Sequence, residues 1–141
     1  MARLRITTRS GQPINTIGTR IIDEYRQRAQ AAGDEAASEW QAAAIEVVSQ
    51  PGHGRTYKRG SVVHRASAPG EPPAPDTGTG RRSIGWVQKG KLRWRLGAGT
   101  IVMMWMERGT RFMEKRPWAL VALRRALPKM RAAIRRRMGG G

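Results

Sequence analysis

A chain of 141 residues with 39% hydrophobic and 26% charged residues has the size of one ordinary domain, and its composition is neither collagen-like nor that of a wholly disordered chain. It contains no cysteine, which excludes a disulfide scaffold, an iron–sulfur centre, a thiolate zinc site and a thiol nucleophile. Twenty-seven bases against ten acids leave a net charge of +17, so a polyanionic or acidic neighbour is expected.

The charge is uneven. Residues 1–13 carry three arginines and read as a basic arm. Residues 14–50 carry six acids and three bases, and residues 51–141 carry 21 bases and four acids. No apolar run approaches the ~20 residues that span a bilayer, and the N-terminus lacks the apolar stretch of a secretory signal; no membrane partner is expected.

Residues 14–49 read as helix. Ile14, Ile17, Ile21, Tyr25, Ala29, Ala32, Ala36, Trp40, Ala43 and Val47 recur at steps of three and four, the period of one helical face. Pro13 suits the first helical position, and Pro51-Gly52 stops the helix. At 1.5 Å per residue such a helix spans ~54 Å, so a kink or break is expected near Gly33-Asp34, where helix propensity is weakest. The stripe either faces one core or is completed by another subunit.

Residues 51–82 hold five prolines and six glycines, far longer than an ordinary connection of about 4–6 residues. Val62-Val63 suits a short strand, and the proline tract from Ala68 to Pro75 must be extended. The segment is either a floppy linker or a loop ordered against a partner. Residues 84–96 read as a β-hairpin: Ile84 and Trp86 alternate, Lys89-Gly90 turns, and 91–96 alternates again. Leu92, Trp94 and Leu96 then face one side and Lys91, Arg93 and Arg95 the other. The apolar run 101–107 is too short for periodicity to separate strand from helix, though its methionines favour a short helix closed by Gly109. From Pro117 helix resumes, with a stripe of Trp118, Val121, Leu127, Met130, Ile134 and Met138, and Pro128 is expected to kink or split it. The final three glycines are expected to be disordered.

Little in the chain suggests catalysis. His53 and His64 are the only histidines, and neither has a second ligand at helical spacing or an acidic cluster beside it. Gly97 and Gly99 lack the third glycine of a dinucleotide fingerprint, and no P-loop occurs. Glu107 and Glu114, seven apart, are weak evidence for acid–base work. We expect a non-enzyme without cofactor or metal. The aromatics fall on apolar faces, so contact with nucleic acid would be phosphate contact without base readout.

Two sets of residues carry a resemblance. Arg55-Thr56-Tyr57, His64-Arg65-Ala66-Ser67-Ala68-Pro69-Gly70-Glu71-Pro72-Pro73-Ala74-Pro75-Asp76-Thr77-Gly78 and Ile84 form the first. Gly99-Thr100, Trp105-Met106-Glu107-Arg108-Gly109-Thr110, Met113 and Arg116-Pro117-Trp118 form the second. Together they resemble the signature of a tailed-phage neck family, the small head–tail joining or tail-completion proteins, over about residues 15–128. Arg108 stands where that family usually has an aromatic, Trp118 where it has phenylalanine, and the arginine-rich end after Pro128 is an addition.

The resemblance implies an α+β fold over residues 14–128, with a long N-terminal helix and C-terminal helices packed on a small antiparallel sheet, and 129–141 as a basic tail. It implies a structural ring between head and tail, of six copies by matching six-fold tail symmetry. The ring's neighbours would be portal, adaptor or stopper proteins on one side and tail-tube or terminator proteins on the other. Double-stranded DNA would pass through the lumen of a virion assembled in the bacterial cytoplasm. Tyr57, His64, Pro69, Gly70, Glu71, Pro72 and Pro73 become the expected partner loop. Trp105, Glu107, Gly109, Thr110, Arg116, Pro117 and Trp118 become the family's C-terminal motif. Lys91, Arg93, Arg95, Arg124, Arg125, Arg131 and Arg135 become the working basic surface, facing DNA or an adjoining ring. The alternative, resting on charge alone, is a free nucleic-acid-binding protein without base specificity.

Overall fold

The computed structural model describes residues 9–11 and 13–139. Most of the expected basic arm and the last two glycines therefore lie outside the described residues. The elements in chain order are α1 (Ile14–Val47), β1 (Thr56–Arg59), β2 (Val62–Arg65), α2 (Thr79–Arg82), β3 (Ile84–Gln88), β4 (Trp94–Ala98), α3 (Ile101–Arg108) and α4 (Ala119–Met138). The fold is α+β, as the resemblance implies, but the strands form two separate antiparallel pairs, β1–β2 and β3–β4.

Helix α1 runs through Gly33-Asp34 without a break. The glycine serves packing there: the Trp94 ring from β4 lies against the bare backbone of Gly33. Pro13 caps the helix one position earlier than expected. Helix α4 runs antiparallel to α1. Trp40 Nε1 donates to the Ala119 carbonyl at 3.3 Å near one end of the seam, and Glu35 pairs with Arg136 and Arg137 near the other. Small residues make the seam, with Ala32, Ala36, Ala37 and Ala44 on α1 facing Ala122, Ala126 and Ala133 on α4, all buried.

This alanine seam corrects the stripe expected on α4. Trp118 is buried and Val121, Met130 and Met138 are half-buried, but Leu127 and Ile134 are 37% and 45% exposed. Close approach of two backbones selects alanine at the centre of the seam, so Leu127 and Ile134 are left outside. Pro128 neither splits nor ends α4. It is exposed, so the Arg124 carbonyl that loses its helical N–H partner can be satisfied by water. The basic segment after Pro128 is therefore the last part of a packed helix up to Met138, and Ala133 within it is fully buried.

The β3–β4 hairpin also departs from expectation. Trp86 pairs with Leu96 and Ile84 with Ala98, but β4 begins only at Trp94. The Lys89 amide donates to the Arg93 carbonyl at 2.9 Å and closes a three-residue loop in which Leu92 has φ 52°. Gly90, at φ 137°, opens the loop, and the Arg93 amide donates to the Gly90 carbonyl at 3.4 Å across Lys91 and Leu92, a tight turn that strict alternation cannot reveal. Lys91 and Arg93 sit in the turn and Leu92 is exposed, so Arg95 alone of the three bases lies on a strand. Helix α3, closed by Gly109 at φ 77°, is as expected. The core gathers Trp40, Val47, Val48, Ile84, Met103, Trp118, Ala122 and Ala126.

Candidate functional site

The proline-rich segment is held to its own chain by a small set of polar contacts. Glu71 accepts from the Ala68 amide at 2.9 Å and the His53 amide at 3.2 Å, and its carboxylate lies 3.1 Å from the His53 ring. Those amides, Ala68 first, hold the Glu71 carboxyl below its ordinary value of 4.5. Arg59 meets Asp76 at 2.5 Å, with His64 at 3.9 Å from the same carboxylate. The Arg59 hydrogen bond is the main cause of the lowered Asp76 value.

Ser67 is the inner anchor. It is buried, and its hydroxyl accepts from Arg116 Nη1 at 2.6 Å, while the Gly70 amide donates to the Lys115 carbonyl at 3.2 Å. Sequence reasoning missed Ser67, because a lone serine in a proline tract gives no sign of burial. Of the expected partner-loop residues, Pro73 is buried, Glu71, Pro72 and His64 are half-buried, and Tyr57, Pro69 and Gly70 are exposed. Val62 and Val63 extend the exposed part over the β1–β2 hairpin.

The C-terminal motif is mostly an internal joint. The Glu107 carboxylate accepts from the amides of Trp118 at 2.6 Å, Ala119 at 2.9 Å and Leu120 at 3.4 Å. A carboxylate from α3 thus caps α4, whose own first turn has no acid, and it complements the positive end of the helix. The Arg116 amide donates to the Met106 carbonyl, and Thr110 bridges to Met113. Gly109 leaves no room for a side chain, since a Cβ there would lie 2.9 Å from the Lys115 nitrogen. Trp105 is exposed and Pro117 half-buried. Replacing Glu107 with alanine should lower stability by about 1–2 kcal/mol, with glutamine losing less; urea denaturation of both variants measures it.

The Glu71 contacts carry a pH dependence. Because the folded value is depressed, their stabilisation is complete above pH 4.5 and fades as pH falls through the folded value. Urea midpoints recorded from about pH 6 to about pH 3 should fall less steeply for Glu71→Gln than for the parent chain.

The basic residues are all exposed, but they form two sets on separate elements. Arg124, Arg131 and Arg135 make one stripe on the side of α4 opposite its buried alanines, with Arg125 on a flank, as their spacing requires. Lys91, Arg93 and Arg95 belong to the β3–β4 hairpin, which meets α1 through Gln88–Gln30 at 2.6 Å and Trp94–Asp34 at 2.7 Å. The far end of α4 meets the next residue, Glu35, whose carboxyl Arg137 and then Arg136 hold below its ordinary value. Neighbouring residues on a helix point about 100° apart, so the two sets reach different sides of α1. A cleft of about 250 Å³ lies between the proline loop and α3, lined by Val48, Pro73, Arg81, Met103 and Met106 among others.

Among the described residues, no three His, Cys, Asp or Glu side chains group closely enough to hold a metal ion, and no helix is long and apolar enough to cross a membrane. Compared against protein families, curated proteins and solved structures, the chain matches none of them.

Proposed function

We propose that the protein is a structural component of a tailed-phage neck, or of a particle derived from one, forming a ring that joins the DNA-filled head to the tail. The observation that carries this reading is the meeting of its two motif segments. Ser67 and Gly70, from the proline-rich segment, bond to Arg116 and Lys115, 49 and 45 residues later. Residues that resemble one family's signature in two distant places thus form one joint in this chain. Their role is to fix the loop and the start of α4, leaving Tyr57, Val62, Val63 and the α4 arginines exposed to neighbouring rings or to DNA. No bond is made or broken in this role.

Imaging of particles tests the reading: the chain should lie between portal and tail tube, and a particle whose neck lacks it would refute the assignment. Reversing the α4 stripe with Arg124→Glu, Arg131→Glu and Arg135→Glu should leave the fold intact, because all three are exposed, and should block joining of heads to tails or release of DNA.

The same stripe favours a second reading, a free nucleic-acid-binding protein. That protein would bind duplex DNA as a monomer or dimer, with log affinity falling by ~0.9 per neutralised phosphate for each unit of log salt. Mobility shifts across a salt series, read beside light scattering, separate the two.

A further inference from the structure

Among the described residues two apolar stripes are left exposed, and they match. Helix α4 ends with Gly139 beside Arg28, so the first half of α1 extends past it with Ile14, Ile21 and Tyr25 50–53% exposed. These residues, with half-buried Ile17, follow steps of three and four, the period of one face. That face continues the one α4 covers further along α1, at Ala32 and Ala36. From Ile14 to Arg28 it is ~21 Å long.

The second stripe lies on the outer side of α4. Leu120, Leu127 and Ile134 recur every seven residues, are 37–47% exposed, and also span ~21 Å. Seven-residue spacing keeps all three on one side of the helix, where they supply one of the two apolar positions of a helix–helix seam.

We infer that the α4 stripe of one copy packs on the bare half of α1 in a second copy, head to tail. This rests on the ring reading above and names its contact. Charge decides against the two-fold alternative through α4, whose 20 residues carry seven bases and no acid; two such helices would repel along their whole length. Residues 14–28 carry two acids and three bases, with Asp23 and Glu24 as the acids, and so oppose a basic helix far less than a second α4 would. Pairing of α1 with α1 would leave the α4 stripe uncovered. Two different faces that fit one another generate rings when the rotation closes.

The chain has no cysteine, so engineered thiols report the contact cleanly. The double variant Ile21→Cys with Leu127→Cys, treated with a bismaleimide long enough to bridge one turn of register, should give a ladder of dimers and higher species. A mixture of the two single variants should stop at dimer, and neither single variant alone should cross-link. Adding Ile134→Glu to the double variant should abolish the ladder while the far-ultraviolet circular dichroism of the folded chain persists. Dimer from either single variant alone, or monomer throughout, overturns the inference; monomer would leave these faces to the chain's own first residues or to solvent. A ladder from a protein that imaging does not find in a neck keeps this interface and removes the neck assignment. A neck protein without a ladder does the reverse.

Discussion

Trp118→Ala should lower the unfolding free energy by about 3–5 kcal/mol, the usual cost of emptying a large aromatic site. The indole is 3% exposed and lies against Trp40, with ring centroids 6.0 Å apart and planes tilted by 46°. Its Nε1 donates to the Met103 carbonyl at 2.9 Å, and its backbone amide donates to Glu107. One residue therefore joins α1, α3 and α4. A domain of this size has about 5–15 kcal/mol in all, so the variant should approach the limit of folding. Trp118→Phe keeps part of the apolar volume but loses the ring donor to the Met103 carbonyl and leaves a smaller gap, so it should cost less than alanine, about 1–3 kcal/mol. Phe112 is the control: it is 83% exposed, and its replacement by alanine should change stability by less than about 0.5 kcal/mol. Urea unfolding orders the three. If Trp118→Ala lost no more than Phe112→Ala, the core described above would be misplaced.

How far such a core can be read from sequence depends on the signal that each element leaves. Helix α1 was legible because its apolar residues keep a helical period and Pro-Gly ends it. Gly109 marked the end of α3 in the same way. The partners of those faces were not legible. Ile14 and Ala36 share one stripe in the sequence, yet one is bare and the other buried, because the length of α4 decides how much of α1 is covered. On α4 hydrophobicity pointed to Leu127 and Ile134, whereas close backbone packing chose Ala126 and Ala133. The candidate site shows the same division. Exposed arginines were recognisable from charge and spacing. Glu71 meets one near amide, Ala68, and one distant amide, His53, while Glu107 and Arg116 turn inward to the Trp118–Leu120 amides and the Ser67 hydroxyl, and no local pattern records the distant partners.

Gly33→Ala should destabilise the protein by about 1–3 kcal/mol, the usual range for overpacking. Helix propensity alone predicts a gain of about 1 kcal/mol, so the sign is the test. A Cβ at this position would lie 2.0 Å from Trp94 Cη2 and 2.1 Å from Cζ2. The ring cannot simply withdraw. Its Nε1 donates to the Asp34 carboxylate at 2.7 Å, and Gln30 donates to the same oxygen at 3.1 Å. Retreat would release that bond and lift the β3–β4 hairpin, with Lys91, Arg93 and Arg95, away from α1. In a Trp94→Ala background the obstacle is gone, and Gly33→Ala should then stabilise by up to about 1 kcal/mol. The two single variants and the double form a cycle whose interaction energy isolates the clash. Helical circular dichroism should stay unchanged throughout, because the buried alanines that pack α1 on α4 are themselves kept, while tryptophan emission should shift with the displaced ring. A stabilising Gly33→Ala in the parent chain would mean that the hairpin does not rest on α1 at this point.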